Sequence, residues 1–348
     1  MVSLDSFRRP TARLPLPRLA DRFGVRDLKQ VSGDLAQLVR GVVSGARFQF
    51  DVRSAGLVRP DLSLPTYAGL VPSDGLAPIY NLFDRSSGQY DWYTTRVSRR
   101  RARDFRGGKL AYDDHDGTDF VCPIGMPVTA AAPGTVVLLR DYWLRGGLTL
   151  TIDHGDGLLT SYSHLAEAVA RPGVRVRRGE VVGVAGASGV DLVSFFPWVP
   201  PHIHFTTWLD GRPVDPFAAP GEASLWVRAN EPLPGEELVL AALGDEPLPS
   251  ASPIDELALE RLCSHCEDES IAREIAALRD DAVQLAAFLD DAMFHQPAAW
   301  PRAFWGQTVR PARDGGGPPA AQLSLPLPAS DYQGARFADA PWTAPDAG

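Results

Sequence analysis

Cysteine is scarce in this 348-residue chain. Cys122, Cys263 and Cys266 are its full set, which excludes a disulfide framework and fits a reducing compartment or a protein that does not rely on disulfides. Lysine occurs only at Lys29 and Lys109. No apolar run reaches the roughly eighteen residues that a membrane helix needs, so no spanning segment is expected. Near the start, Leu14-Pro15-Leu16-Pro17 is too short and too broken by proline for the apolar core of a signal peptide, which makes the cytoplasm the default location. A net charge of −9 argues against a dedicated nucleic-acid binder. No alternation of strands with helices is visible, which disfavours a parallel doubly wound sheet. What the chain does have is 45% hydrophobic residues, enough for a core, and 32 glycines with 31 prolines, so turns must be frequent.

The length allows two domains, or one with substantial appendages. Residues 1–75 read as an N-terminal extension of unknown role. Within it, Leu28, Val31, Leu35, Leu38 and Val42 recur at helical spacing over Asp27 to Val43, and Phe48 to Val52 alternates like a short strand. Residues 76–225 are β in texture. Val136–Leu139, Leu148–Ile152, Leu158–Tyr162, Val174–Val176 and Val181–Val184 are short, rich in Val, Leu, Ile and Thr, and separated by Gly- and Pro-bearing turns. That pattern predicts a mainly antiparallel sheet, sandwich or barrel. Residues 226–300 read as a linker and helical hairpin, with Ser252 as N-cap and an apolar stripe through Ile271, Ile275, Leu278, Ala282, Leu285, Leu289 and Met293. Residues 301–348, rich in Pro, Ala and Gly, read as a disordered tail.

Four of the seven histidines invite a chemical reading. His115 and Asp119 lie four apart. On a flat strand they would be about 13 Å apart, too far to share an ion. Gly117 and Thr118 disfavour a helix there, so the chain must bend at Gly117. His202-Ile203-His204 places two imidazoles on one face of a strand. Spacing alone does not say which of the two is a ligand. Three such side chains suffice for a catalytic zinc ion with a fourth position open. His164, after Ser161-Tyr162-Ser163, adds a candidate acid/base, whereas His154 sits in a turn and reads as structural.

These residues fall within a longer ordered pattern. His115-Asp116-Gly117-Thr118-Asp119 is followed by Pro127-Val128-Thr129-Ala130, Pro133-Gly134-Thr135-Val136 and Ile152-Asp153-His154-Gly155-Asp156-Gly157. Then come Tyr162-Ser163-His164-Leu165, Val176-Arg177-Arg178-Gly179-Glu180, His202-Ile203-His204-Phe205 and Gly211-Arg212-Pro213-Val214-Asp215-Pro216. In this order they resemble the LytM/lysostaphin-type (M23) zinc metallopeptidases. The resemblance runs from His115 to Phe217 and implies a compact antiparallel β domain with a groove. It further implies one Zn²⁺ held by His115, Asp119 and His204, with His164 and His202 as catalytic groups. The implied substrate is peptidoglycan peptide, and the implied location is the cell envelope or beyond. A second expectation is a catalytically idle LytM-like module that regulates other cell-wall hydrolases. Idle members lose ligands, whereas this chain keeps all five residues.

The chain departs from the family pattern at residues 190–201, where Phe195, Phe196 and Trp198 enrich a loop before His202. That loop either lines the groove or packs on the N-terminal extension. The basic run Arg96, Arg99, Arg100, Arg101, Arg103, Arg106 and Lys109 reads as a solvated loop that could steer anionic substrates. Cys263-Ser264-His265-Cys266 offers three ligands without a partner pair and reads as a helix–turn feature. A lipoyl carrier is excluded because no lysine sits in the turn near Gly179, and phosphotransfer would not need an aspartate ligand.

Overall fold

A computed structural model describes residues 6–12, 14–43, 48–49, 57–86, 95–96, 99–143, 146–235, 246–295, 299–301, 304 and 319–340. Its centre is an eleven-stranded sheet. The strands are β1 (Leu76–Asn81), β2 (Thr118–Val121), β3 (Pro127–Thr129), β4 (Gly134–Tyr142), β5 (Gly147–Asp153) and β6 (Leu158–Ala168). They continue as β7 (Arg175–Val176), β8 (Val181–Ala185), β9 (His202–Leu209), β10 (Arg212–Val214) and β11 (Gly334–Phe337). The main path runs β7-β4-β5-β6-β9-β2-β1-β11, with β8 joining β6 to β3 and β10 extending β9. Every pairing in this sheet is antiparallel except β11 with β1. The mainly β antiparallel class read from the sequence is therefore the observed one.

Seven helices surround the sheet among the described residues: α1 (Leu19–Arg22), α2 (Leu28–Val43), α3 (Pro60–Tyr67), α4 (Val190–Ser194), α5 (Glu256–Cys263), α6 (Glu269–Leu278) and α7 (Ala282–His295). The predicted C-terminal stripe is split between α6 and α7. Ile271, Ile275, Leu285, Leu289 and Met293 are buried together with Val137, Leu138, Leu159 and Trp208 of the sheet. Ser252 is not the N-cap. Asp255 caps α5 by accepting from the Ala258 amide, while Ser252 donates to Asp153 and accepts from the Gly157 amide, tying the linker to a sheet turn. Helix α2 forms as periodicity predicts, yet Leu28 and Leu35 on its apolar stripe are 74% and 46% exposed. Polar contacts dock it instead: Asp34 accepts from the Trp143 amide, and Gln30 donates to the Asp141 carbonyl. Of the predicted Phe48 to Val52 strand, residues 48–49 pair with Thr95–Arg96, and residues 50–52 lie outside the described residues.

The disordered tail is corrected for residues 319–340. Leu323, Leu325 and Leu327 are fully buried in the main core, and β11 pairs with β1. Residues 305–318 and 341–348 lie outside the described residues. Every residue of Leu323-Ser324-Leu325-Pro326-Leu327 is buried, with Ser324 satisfied by the Ala131 carbonyl.

His154 is structural, as its turn position predicts. Its ring is buried, with Nδ1 donating to the Pro133 carbonyl at 2.9 Å and Nε2 2.7 Å from the Thr160 hydroxyl. Burial pushes its pKa down to about 4. The unfolded chain takes up this proton near pH 6.5, the folded chain only near 4, so stability falls as pH drops between those values. The expected loss is about 3 kcal/mol. Urea unfolding of wild type and His154→Gln from pH 7 to 4 measures it, and parallel stability curves for the two proteins would refute it.

Candidate metal centre

The bend at Gly117 is what brings the first pair together. Strand β2 starts at Thr118, and a Cβ on Gly117 would stand 2.7 Å from the Phe205 carbonyl and 2.9 Å from the His204 ring. Only glycine lets the two segments approach this closely. Asp119 and His204 are direct cross-strand partners in the β2–β9 pairing, and His202 lies opposite Val121 two positions along the same face. His164 comes from β6, whose Ser163 pairs with His204. A register irregularity between Tyr162 and Leu165, with His164 at φ +63°, turns the strand at that point.

Among the described residues one group of side chains can converge on a metal ion: His115, Asp119 and His204. His115 Nε2 lies 3.3 Å from Asp119 Oδ1 and 3.2 Å from His204 Nδ1, and His204 Nδ1 lies 2.9 Å from the same carboxylate oxygen. All three residues are buried. The second nitrogen of each imidazole is already committed. His115 Nδ1 donates to the Leu82 carbonyl at 2.7 Å, and His204 Nε2 lies 3.1 Å from both Asp116 Oδ1 and the Thr206 hydroxyl. These outer bonds would leave His115 Nε2 and His204 Nδ1 to supply lone pairs once an ion takes the place of the proton that His204 shares with Asp119. Asp116 is a residue that motif spacing did not single out for a role.

His164 and His202 stand beside this group with rings 5.0 Å apart. His164 Nδ1 donates to the Ser188 carbonyl at 2.7 Å and His202 Nδ1 to the Pro200 carbonyl at 2.8 Å, so each neutral ring keeps its lone pair on Nε2. His202 Nε2 is 3.5 Å from Asp119 Oδ1. Burial, reinforced by the neighbouring His202 and His204, holds His164 well below the usual histidine value. Burial also lowers His202, against the pull of Asp119. For Asp119 burial opposes ionisation, but the charges of His202 and His115 and the bonds to His115 and His204 keep its carboxyl well below the usual range. Burial likewise disfavours charge on His204, yet hydrogen bonds to Asp116 and Asp119 raise it to about 10. The Asp119 carboxylate and the His204 imidazolium thus stabilise each other's charge at the centre of this group.

The family model for peptidase family M23 matches residues 113–216. A domain of the M23 family therefore occupies residues 113–216. Peptidoglycan DD-endopeptidase ShyA of Vibrio cholerae is 35% identical over 105 residues, covering 30% of this chain and 23% of that protein. ShyB of the same organism is 37% identical over the same length and shares. DD-carboxypeptidase/endopeptidase Mpg of Neisseria meningitidis is 34% identical over 104 residues, 30% of this chain and 22% of that protein. The matched segment thus spans about a quarter or less of these relatives' length. A solved catalytic domain of a prophage-encoded M23 protein of Enterococcus faecalis aligns with 32% of this chain and 81% of that one, at 29% identity and a TM-score of 0.27. All six histidine and aspartate positions described above, His115, Asp116, Asp119, His164, His202 and His204, lie inside the M23 segment.

Around the M23 domain, several loops are less free than their composition implies. Leu192 and Val199 of the aromatic loop pack with Leu57 and Leu62 of the N-terminal extension, and Phe196 meets Phe23 and Tyr67 edge-on. In the basic run, Arg106 pairs with Asp104 and Asp339, and Arg99 turns inward to the Asn81 side chain. Arg96 lies in the short strand Thr95–Arg96. Cys263 and Cys266 are free thiols near the end of α5, and no metal-holding group forms there among the described residues. No described helix is long and apolar enough to cross a membrane.

Proposed function

We propose that the chain is a zinc-dependent metalloendopeptidase that hydrolyses peptide bonds in peptidoglycan peptides, acting at the cell envelope. The observation that carries this reading is the convergence of His115 Nε2, His204 Nδ1 and Asp119 Oδ1 with mutual distances of 2.9 to 3.3 Å. Ligands around a tetrahedral zinc ion with bonds of about 2.0–2.1 Å are about 3.3–3.4 Å apart. The donor set therefore fits the ion almost without rearrangement. When bound, zinc supplies Lewis-acid polarisation of the scissile carbonyl and makes hydroxide accessible near neutral pH.

The chain's own residues supply the proton handling. His164 and His202 each present an unprotonated Nε2 beside the ligand group, and burial keeps both neutral at neutral pH. One of them can accept the proton lost when water adds to the carbonyl carbon and deliver it to the departing amine, so that the C–N bond breaks into a carboxylate and an amine. Retention of every one of these groups favours an active peptidase over an idle regulatory module.

The direct test digests purified peptidoglycan with the full chain as isolated, after chelation, and after zinc return. The expected result is about one zinc per chain and new amino termini that vanish on chelation and reappear with zinc. A chain that binds no zinc and releases no amino termini would overturn the proposal.

A further inference from the structure

Strand β1 lies outside residues 113–216, yet it reaches the candidate metal centre at two points. Asn81 at its end faces Asp119 in the β1–β2 pairing, and its Nδ2 donates to Asp119 Oδ2 at 2.7 Å. One residue on, the Leu82 carbonyl accepts from His115 Nδ1. Asn81 is 1% exposed, so no solvent competes for these bonds. Its Oδ1 accepts from the Arg99 guanidinium at 2.5 Å, and the same guanidinium nitrogen donates to the Tyr80 carbonyl at 3.1 Å.

This arrangement leaves the Asn81 amide a single orientation. A guanidinium only donates and an ionised carboxylate only accepts, so the amide oxygen must face Arg99 and the amide nitrogen must face Asp119. The two oxygens of Asp119 then have separate partners. Oδ2 is taken by Asn81, and Oδ1 alone faces His115 Nε2 and His204 Nδ1. A carboxylate fixed in this way offers one oxygen to an ion and cannot swing its second oxygen in.

We propose that Asn81 is a positioning residue for the M23 centre, holding Asp119 by one oxygen so that the other is presented to the metal, with Arg99 fixing the direction of the amide. The proposal rests on the zinc reading above. It also explains why Arg99 leaves the solvated basic run: it is the outer member of a chain running Arg99, Asn81, Asp119.

The test compares wild type with Asn81→Leu, which keeps the number and branching of the side-chain heavy atoms and removes both bonds, and Asn81→Ser, which keeps a shorter donor. Zinc affinity is measured by chelator competition on the folded full-length chain, and the cobalt-substituted proteins give the visible absorption of the metal's own ligand field. Loss of an outer hydrogen bond of this kind weakens metal binding by about 10- to 100-fold. That loss is expected for Asn81→Leu together with a changed cobalt spectrum, and a smaller loss for Asn81→Ser. A merely structural asparagine would lower thermal stability but leave the folded variants with wild-type affinity and spectrum, which overturns the proposal. If Asn81→Leu does not fold, Asn81→Ser decides by the same two readouts. A wild-type chain that takes up neither zinc nor cobalt would overturn the metal reading itself, a result distinct from equal binding by wild type and variants.

Discussion

Replacing His164 or His202 is expected to lower peptide-bond cleavage by about 10²- to 10⁴-fold, the range for removing a positioned acid/base, while zinc stays bound. Replacing Asp119 or His204 by alanine is expected to remove the zinc as well. The division follows from which nitrogens are free. His204 has Nε2 engaged by Asp116 and Thr206 and turns Nδ1 toward Asp119 and His115. His202 has Nδ1 engaged by Pro200 and its Nε2 at the margin of the group, 3.5 Å from Asp119. Choice of substitution matters at position 164. The backbone there is left-handed at φ +63°, which alanine adopts poorly and asparagine tolerates. His164→Asn therefore removes the basic nitrogen without adding strain. Zinc content by atomic absorption and kcat on peptidoglycan fragments, measured side by side, separate the roles. Should His202→Ala lose the metal while His204→Ala keeps it, the assignment within the His-x-His pair would be reversed.

That pair shows where the sequence was legible and where it was not. The strands announce themselves through Val, Leu, Ile and Thr between glycine turns, and β4, β5, β6 and β8 contain the predicted segments with only their ends extended. The histidines and Asp119 are marked by spacing and by the ordered motifs around them. Which of His202 and His204 faces the carboxylate depends on cross-strand register and on Asp116, information that spacing two apart does not hold. Asn81 has no motif at all. It matters because β1 pairs with β2 across nearly forty residues of sequence, a long-range contact that local pattern cannot encode. The basic run misled in the same way, since Arg99 looks like its exposed neighbours until Asn81 is placed beneath it.

The C-terminal return should be as important to stability as any strand of the sheet. Leu325→Ala is expected to destabilise the chain by about 2–5 kcal/mol, the cost of emptying a buried leucine site. Leu257→Ala, at a leucine 73% exposed on α5, should change stability by no more than about 0.5 kcal/mol. The difference lies in what residues 319–340 hold. The Leu325 amide donates to the Leu233 carbonyl at 2.7 Å, Ser324 binds the Ala131 carbonyl through both its amide and its hydroxyl, and the Thr129 amide donates to Pro326 at 3.1 Å. Farther on, Asp331 accepts from the Thr11 and Ala12 amides at 2.6 Å and pairs with Arg8 at 2.9 Å, binding the two ends of the described chain to each other. Beyond it, β11 pairs with β1, the strand that carries Asn81. We therefore expect the folding unit to be the M23 segment together with β1 and this return, with zinc affinity falling alongside stability when the return is loosened. Urea unfolding of the two leucine variants, with zinc competition on the same samples, measures both. A Leu325→Ala protein as stable as Leu257→Ala would show that the return adds nothing to the core.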